Sequence, residues 1–334
     1  MTAHNHPRAA ALALAGLLFA ALVNTPAAAQ TLTYLNAPPN GARIAAPPRL
    51  TLSLGGRSVR AVMDTGSTGI VVAANLIPGF ARLPGPPGVL TYSSSGRIMR
   101  GRWVRVAATI TGANGQRVTT APIPVLAVTR EDCLRLARNC RPIAHPRGIA
   151  MLGIGFGREA DHQPQSTPDR NPFLAVQGRG DRGYIVTRRF VRIGLTPASA
   201  AGFATIRLTR NPRWQDWNQA PACIRVATSP PACGVSLMDT GVVMMYLSVP
   251  GPPLVSGTRL HFLLGATGPA DRAVASYGFA LGHHASPLAP RAVVRAHNPR
   301  PFVNLTVRFL NGFDYLYDVT TGTVGYRPHP LPRR

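Results

Sequence analysis

The sequence predicts an all-β protein built from two similar lobes. The chain contains 33 proline and 33 glycine residues, and they punctuate short runs rich in Val, Leu and Thr, which is typical of strands joined by tight turns. Beyond residue 30, no long segment has the 3.6-residue periodicity of an amphipathic helix. The tripeptide Asp-Thr-Gly also occurs twice, about half of the chain apart, each time after an apolar run that ends in Met.

The first element in the chain is an expected export signal. Arg8 supplies a positive charge, residues 9–23 are apolar, and Ala27-Ala28-Ala29 is a small-residue cleavage sequence. The apolar stretch is short and rich in Ala for a membrane span, so an uncleaved anchor is the weaker alternative. We therefore expect residues 1–29 to be a signal peptide and the protein to be exported, to a periplasm or out of the cell.

The rest of the chain is long enough to bury a large core, most naturally as two lobes. We assign residues 30–190 to an N-terminal lobe and residues 191–334 to a C-terminal lobe. Each lobe then contains one Asp-Thr-Gly, and each copy follows a predicted hairpin. In the first lobe the strands are residues 50–54 and 59–63, joined by Gly55-Gly56. In the second lobe they are residues 224–226 and 235–238, joined by a Ser-Pro-Pro turn at 229–231.

The repeated Asp-Thr-Gly has a chemical use. Ten Asp residues give a chance of roughly 0.1% for two such tripeptides at average residue usage. Two carboxylates held about 3 Å apart cannot both ionise and therefore share one proton, so that one acts as a base and the other as an acid. Gly permits a tight loop, and the Thr hydroxyl can bond to the opposing loop. Asp64 and Asp239 are therefore the candidate catalytic residues, with two ordinary turns as the alternative.

On these residues the chain resembles the pepsin-like aspartic peptidases, a bilobal all-β family. Asp64-Thr65-Gly66-Ser67 matches the first active-site loop of that family, and Asp239-Thr240-Gly241 matches the second. The segment TYSSSGRIMRG at 91–101 resembles the flap hairpin, and AMLGIG at 150–155 resembles the segment that supports the first loop. Residues 302–328 are similar to the C-terminal stretch of the family.

The resemblance implies two pseudo-symmetric, β-barrel-like lobes with a substrate cleft between them. It also implies an endopeptidase that binds an extended polypeptide in that cleft and needs no cofactor or metal. A water between Asp64 and Asp239 would attack the scissile carbonyl. The family usually has a Trp shortly after the first motif, but residues 69–75 lack it, as in the viral and bacterial single-lobe relatives. We expect an exported member of the bacterial type. The resemblance assigns loop support to Thr65, Gly66, Ser67, Thr240 and Gly241, and substrate contacts on the flap to Tyr92, Ser93 and Ser94.

The second motif departs from the family in two ways. A hydroxyl residue should follow Asp-Thr-Gly, but Val242 stands there, so we expect Asp239 to lack one hydrogen bond to its ionised form. The apolar-apolar-Gly segment that should support this loop is Asn304-Leu305-Thr306. These departures favour an alternative, a pepsin-like binding protein with weak or no catalysis. A structural or cell-envelope protein unrelated to peptidases is the third possibility.

The four cysteines indicate disulfides in an exported protein. Three pairings are possible, and the simplest joins Cys133 to Cys140 and Cys223 to Cys233. Metal binding is the weaker interpretation, because neither couple has Cys-x-x-Cys spacing. His283-His284 is an adjacent pair without an evident third ligand.

The net charge of +24 arises entirely from arginine, since the chain has no lysine. These arginines are scattered singly rather than arranged in a stripe, which disfavours nucleic acid as a partner. We expect a monomer whose partner is a polypeptide substrate. Arg97 and Arg100, on the predicted flap, would favour acidic substrate residues.

Overall fold

The computed structural model describes residues 1–2, 29–135, 137, 139–161, 163, 166–177, 182–283 and 285–330. Within these residues the chain forms 25 strands and a single α-helix of one turn. The predicted all-β class is therefore confirmed. The expected signal peptide lies almost entirely outside the described residues, and the first described strand begins at Gln30. No helix in the described ranges is long and apolar enough to span a membrane.

The strands are short, and most reverse direction through tight turns. The helix is α1 (Pro197–Ala200), and 3₁₀ turns occur at Ala74–Leu76, Phe80–Arg82, Glu159–Asp161, Pro168–Arg170 and Val307–Asn311. The strands are β1 (Gln30–Thr33), β2 (Arg49–Leu54), β3 (Arg57–Asp64), β4 (Thr68–Ala73), β5 (Pro87–Tyr92), β6 (Arg97–Val106), β7 (Thr109–Thr111), β8 (Arg117–Thr119), β9 (Ile123–Cys133), β10 (Ile143–Ala144), β11 (Ala150–Ile154), β12 (Gly183–Val186), β13 (Phe190–Ile193), β14 (Ala204–Arg207), β15 (Arg210–Asn211), β16 (Asp216–Trp217), β17 (Ala220–Val226), β18 (Ala232–Leu237), β19 (Met245–Ser248), β20 (Arg259–Leu264), β21 (Ala275–Ala280), β22 (Val293–Arg295), β23 (Phe302–Asn304), β24 (Phe313–Asp318) and β25 (Thr323–Pro328).

Three main sheets form the body of the molecule. A ten-stranded sheet in the first half has the order β5-β6-β9-β4-β11-β3-β2-β7-β8, with β10 paired to β9. A seven-stranded sheet in the second half has the order β21-β20-β17-β18-β23-β19-β22. A six-stranded sheet, β1-β13-β12-β24-β25-β14, takes strands from both halves, and β15 and β16 form a separate small hairpin.

The two halves repeat one arrangement of strands around each Asp-Thr-Gly. In the first half, β11 lies between β3, to which it is parallel, and β4, to which it is antiparallel. In the second half, β23 lies between β18 and β19 with the same two directions. The hairpins predicted before each motif are β2–β3 and β17–β18. Each Asp-Thr-Gly therefore follows a strand that has the equivalent position in its own sheet.

The local sequence explains the first hairpin. Leu50, Leu52 and Leu54 alternate with polar residues on β2 and are almost completely buried, as a strand with one core-facing side requires. Gly55 and Gly56 both adopt positive φ in the connecting turn, a conformation that glycine reaches without steric cost. The hairpin thus places Asp64 at the end of β3, a strand that is held by its pairing with the buried strand β2.

The shared six-stranded sheet joins the halves through aromatic side chains. Phe156 stacks on Tyr317 with ring centroids 4.3 Å apart, and Tyr184 contacts Tyr317 at 5.6 Å. Tyr184 and Tyr317 are fully buried. The boundary predicted between residues 190 and 191 falls at the start of β13, inside this sheet, and it stays a prediction.

Both expected disulfides are formed. Cys133 and Cys140 close a short loop after β9. Cys223 and Cys233 lie directly opposite each other on β17 and β18, so they join the two strands of the second hairpin.

Candidate active site

The first carboxylate lies at the end of β3 and is held by two donors. The side chain of Asp64 is buried, and its residue is only 5% exposed. The Gly66 amide donates to Oδ1 at 2.7 Å, and the Ser67 hydroxyl donates to Oδ2 at 2.6 Å. Each oxygen of Asp64 therefore has one hydrogen bond from its own loop.

The second carboxylate is also held by two donors, but one of them comes from outside its loop. Asp239 is 6% exposed, and the Gly241 amide donates to its Oδ1 at 2.9 Å. The amide nitrogen Nδ2 of Asn304 donates to Oδ2 at 2.6 Å. The expectation that Val242 leaves Asp239 short of a hydrogen bond is therefore wrong, because Asn304 supplies the donor.

The two loops are locked together by their threonines. The Thr65 amide donates to Thr240 Oγ1 at 3.1 Å, and the Thr240 amide donates to Thr65 Oγ1 at 3.0 Å. The Thr240 hydroxyl in turn donates to the Met63 carbonyl at 2.8 Å. Since both threonines are buried, these bonds fix the position of one loop relative to the other.

The glycines of the two motifs allow the carboxylates to approach each other. A Cβ atom at Gly66 would lie 2.5 Å from both carboxylate oxygens of Asp239. A Cβ atom at Gly241 would lie 2.6 Å from Oδ1 of Asp64. Each carboxylate therefore packs against the opposite glycine, at a distance that excludes any side chain larger than hydrogen.

The strand β11 supports the first loop, as its sequence suggested. Gly153 is paired with Asp64 in the parallel register, and the Gly155 amide donates to the Ser67 carbonyl at 2.7 Å. In the second half, β23 occupies the equivalent place, and the Val307 amide donates to the Val242 carbonyl at 3.1 Å.

The surroundings of Asp239 favour its protonated form. Burial raises the pKa of Asp239 well above its usual range, and the negative charge of Asp64 acts in the same direction. The hydrogen bond from Asn304 and the positive charge of the buried Arg158 oppose this rise in pKa without cancelling it. A carboxylate pair of this kind holds one proton between its members and titrates as a unit.

The flap hairpin predicted at 91–101 is formed by β5 and β6, with a turn at residues 93–96. Tyr92 ends β5, and its hydroxyl is buried without a well-aligned hydrogen-bond partner. Burial raises the pKa of the Tyr92 phenol, the charge of Asp64 adds to the rise, and the neighbouring Ser67 side chain opposes it. The Tyr92 phenol thus lies close to Asp64 and Ser67 of the first carboxylate loop.

The tip of the flap has a hydrogen bond to each half of the molecule. The Ser93 hydroxyl donates to Oδ2 of Asp161 at 2.8 Å, and Asp161 also forms an ion pair with Arg158. On the opposite side, the Tyr246 hydroxyl donates to the Ser94 carbonyl at 2.7 Å. The tip of the flap therefore bridges the two halves of the molecule.

Sequence reasoning missed Asn304, Arg158, Asp161 and Tyr246 as site residues. No local pattern distinguishes them, because each reaches the site only through contacts between distant segments. The departure from the family pattern at residues 304–306 is the one available signal, and from the sequence it indicates only altered support of the second loop.

The arginines of the flap have partners within the chain. Arg97 pairs with Glu131 at 3.2 Å, and Arg100 pairs with Asp132 at 2.6 Å. Both carboxylates belong to β9, the neighbouring strand. The expectation that these two arginines favour acidic substrate residues is therefore not supported.

The described residues contain no group of three or more His, Cys, Asp or Glu side chains arranged to hold a metal ion. His284 lies outside them, so the predicted His283-His284 pair is not described.

Comparison with known proteins identifies the fold. No family model matches the sequence, and no curated protein sequence matches it either. Among solved structures, the chain is similar to an aspartic proteinase from Irpex lacteus, with a TM-score of 0.53 and 13% sequence identity. The match covers 90% of this chain and 97% of that protein. The chain therefore has the bilobal pepsin-like fold, and at this identity the similarity extends to the fold alone.

Proposed function

We propose that the protein is an exported aspartic endopeptidase of the bacterial type that hydrolyses peptide bonds with a water held between Asp64 and Asp239. The observation that carries this proposal is the pair of buried carboxylates, each packed against the glycine of the opposite loop. Such a pair binds one proton and therefore offers an acid and a base at the same point of the cleft.

The mechanism uses the one proton that the two carboxylates share. In the proposed starting state this proton lies on Asp239, and Asp64 acts as the base. Asp64 takes a proton from the water while the water oxygen forms a bond to the scissile carbonyl carbon. Asp239 gives its proton to the carbonyl oxygen, which yields a neutral tetrahedral diol. When the carbon–nitrogen bond breaks, the leaving nitrogen receives a proton from Asp64, and a diol hydroxyl returns one to Asp239.

The loop residues Thr65, Gly66, Ser67, Thr240 and Gly241 would keep the two carboxylates in register during these steps. In the proposal, Tyr92, Ser93 and Ser94 contact the bound polypeptide from the flap. Since the tip of the flap is attached to Asp161 and Tyr246, substrate entry requires that these two contacts open.

Export and oligomeric state are part of the same proposal. Two disulfides form most readily in an oxidising compartment, which fits a periplasmic or secreted protein. Both carboxylates come from one chain, so a monomer would hold a complete site. The second candidate function, a pepsin-like binding protein, loses one of its arguments because Asn304 compensates for Val242.

The test is peptide cleavage from pH 3 to 7 by protein purified after expression of the full chain. Wild type would be compared with Asp64→Asn and Asp239→Asn, with pepstatin as an inhibitor control and products identified by mass spectrometry. We expect cleavage by the wild type and its loss in both variants. Folded wild-type protein that cleaves no peptide at any pH would instead favour the binding protein.

A further inference from the structure

The two carboxylates are held by different kinds of donor. The hydroxyl of Ser67, three positions after Asp64, donates to Oδ2 of that carboxylate at 2.6 Å. The equivalent position after Asp239 is Val242, which has no polar side-chain atom. Oδ2 of Asp239 instead accepts a hydrogen bond from Nδ2 of Asn304, also at 2.6 Å. The chain thus restores the number of hydrogen bonds with a residue from a different strand.

The orientation of the Asn304 amide is fixed by its other contact. Asn304 ends β23 and is 3% exposed, and its Oδ1 accepts the Thr306 amide at 3.0 Å. A backbone N–H can only donate, so Oδ1 must face Thr306 and the NH₂ group must face Asp239. Thr306 is itself constrained, with φ at 61° and its hydroxyl accepting the Arg308 amide. Asn304 is therefore held as a donor toward the carboxylate.

We infer that Asn304 is a positioning residue that replaces the missing hydroxyl at position 242 and supplies the hydrogen bond that stabilises the ionised Asp239 carboxylate. The NH₂ group of Asn304 can only donate, and so can the Gly241 amide at Oδ1. Both oxygens of Asp239 therefore face donors, and the loss of either donor disfavours the charged form. This inference rests on the proposed function for its catalytic meaning.

Other groups around the two carboxylates change the pKa of Asp239, but they do not supply the hydrogen bond that Asn304 donates. Asp64 raises the pKa of Asp239, and Arg158 lowers it. Burial raises the pKa of the Tyr246 phenol, and the negative charge of Asp239 adds to this rise. Besides the hydrogen bond that Asp239 shares with Asp64, the donors to its carboxylate among the described residues are Gly241 and Asn304.

The test exchanges the donor between the two positions. Asn304→Leu removes the amide, and the double variant Asn304→Leu/Val242→Thr returns a hydroxyl at the place equivalent to Ser67. Asn311→Leu is the matched control, because Asn311 is a buried asparagine on the neighbouring 3₁₀ turn that bonds to Ile44 and Pro287 instead of to a carboxylate. Asn304→Asp keeps the shape of the side chain and provides a second variant if Asn304→Leu does not fold.

Two readouts are taken on the full chain: the pH profile of kcat/KM and a ¹³C NMR titration of carboxyl-labelled Asp, assigned with Asp239→Asn. Loss of a hydrogen bond to a charged group should raise the higher apparent pKa of the pair by about one to two units. The basic limb of the pH profile should move upward by the same amount, and kcat/KM should fall about 10- to 100-fold. In Asn304→Asp the added negative charge should raise this pKa further.

The double variant should return the pKa and the basic limb to within about half a unit of wild type, since the new hydroxyl restores the donor. Asn311→Leu should lower the melting temperature and leave both titrations unchanged. An unchanged pKa in Asn304→Leu, or no recovery in the double variant, would overturn the inference. If the wild type cleaves nothing, the proposed function fails, but the NMR titration still decides the role of Asn304.

Discussion

Tyr246 offers a direct test of how the tip of the flap is held against the second half of the molecule. Its hydroxyl donates to the Ser94 carbonyl at 2.7 Å, and Tyr246→Phe removes this bond while it keeps the ring. Ser94 is half-buried on the turn, so its carbonyl can bind water when the flap opens. The net loss is therefore that of an ordinary hydrogen bond, about 1 kcal/mol. This corresponds to an open state populated roughly fivefold more often.

The remaining attachments limit the effect. The Ser93–Asp161 bond stays in place, and the Leu134 amide still donates to the Gly96 carbonyl at 2.7 Å, from the loop closed by the first disulfide. We therefore expect faster local opening without a large fall in global stability.

Native-state hydrogen exchange measures this opening directly. The amides of Ser95 and Gly96 bond to the Tyr92 carbonyl within the turn, and both should exchange about fivefold faster in Tyr246→Phe. Tyr277→Phe is the control, because the Tyr277 hydroxyl is buried without a hydrogen-bond partner in the described residues. Exchange at wild-type rates in Tyr246→Phe would show that the bond to Ser94 does not hold the flap, and the reasoning would be refuted.

Two further predictions concern the carboxylate loops and the contact between the halves. Gly66→Ala places a methyl group against Asp239, so kcat/KM for peptide cleavage should fall about 100-fold. Gly148→Ala is the control, because its methyl group points into open space and the variant should cleave as the wild type does. Equal activity of the two variants would contradict the packing argument. Burial raises the pKa of Asp216 to about 6, although the Gly157 amide donates to it. Because that pKa lies above the unfolded value, the folded state is stabilised below about pH 4 and loses up to about 3 kcal/mol as the pH rises toward 6. Asp216→Asn should therefore match the wild type near pH 4 and be more stable at pH 7 in denaturant unfolding, and a difference independent of pH would count against this account.

The features that were predictable from the sequence are encoded locally. Gly55-Gly56 marks the first hairpin because both residues need positive φ, and leucine alternation identifies its buried face. Two cysteine couples with short separations allow the pairing that is formed. The repeated Asp-Thr-Gly points to two equivalent loops because the tripeptide is rare and its flanking pattern is the same.

The features that were not predictable depend on the register of distant segments. Whether Asn304 reaches Asp239 is decided by the parallel pairing of β23 with β18, which places Asn304 opposite Leu237. The same holds for Tyr246, which meets the flap only because the two halves face each other. No residue pattern in the sequence reports such a contact. From the sequence, Val242 therefore predicts a lost hydrogen bond to Asp239, whereas in the structure Asn304 supplies that bond.

The shared six-stranded sheet also has a consequence for the order in which the protein can assemble. Strand β12 needs β24 as its neighbour, and β24 lies far along the chain, in the second half. A nascent chain that ends before Phe313 would therefore present the backbone of β12 as an unpaired edge, which invites pairing with other chains. This sheet can accordingly close only after the strand β24 has been made.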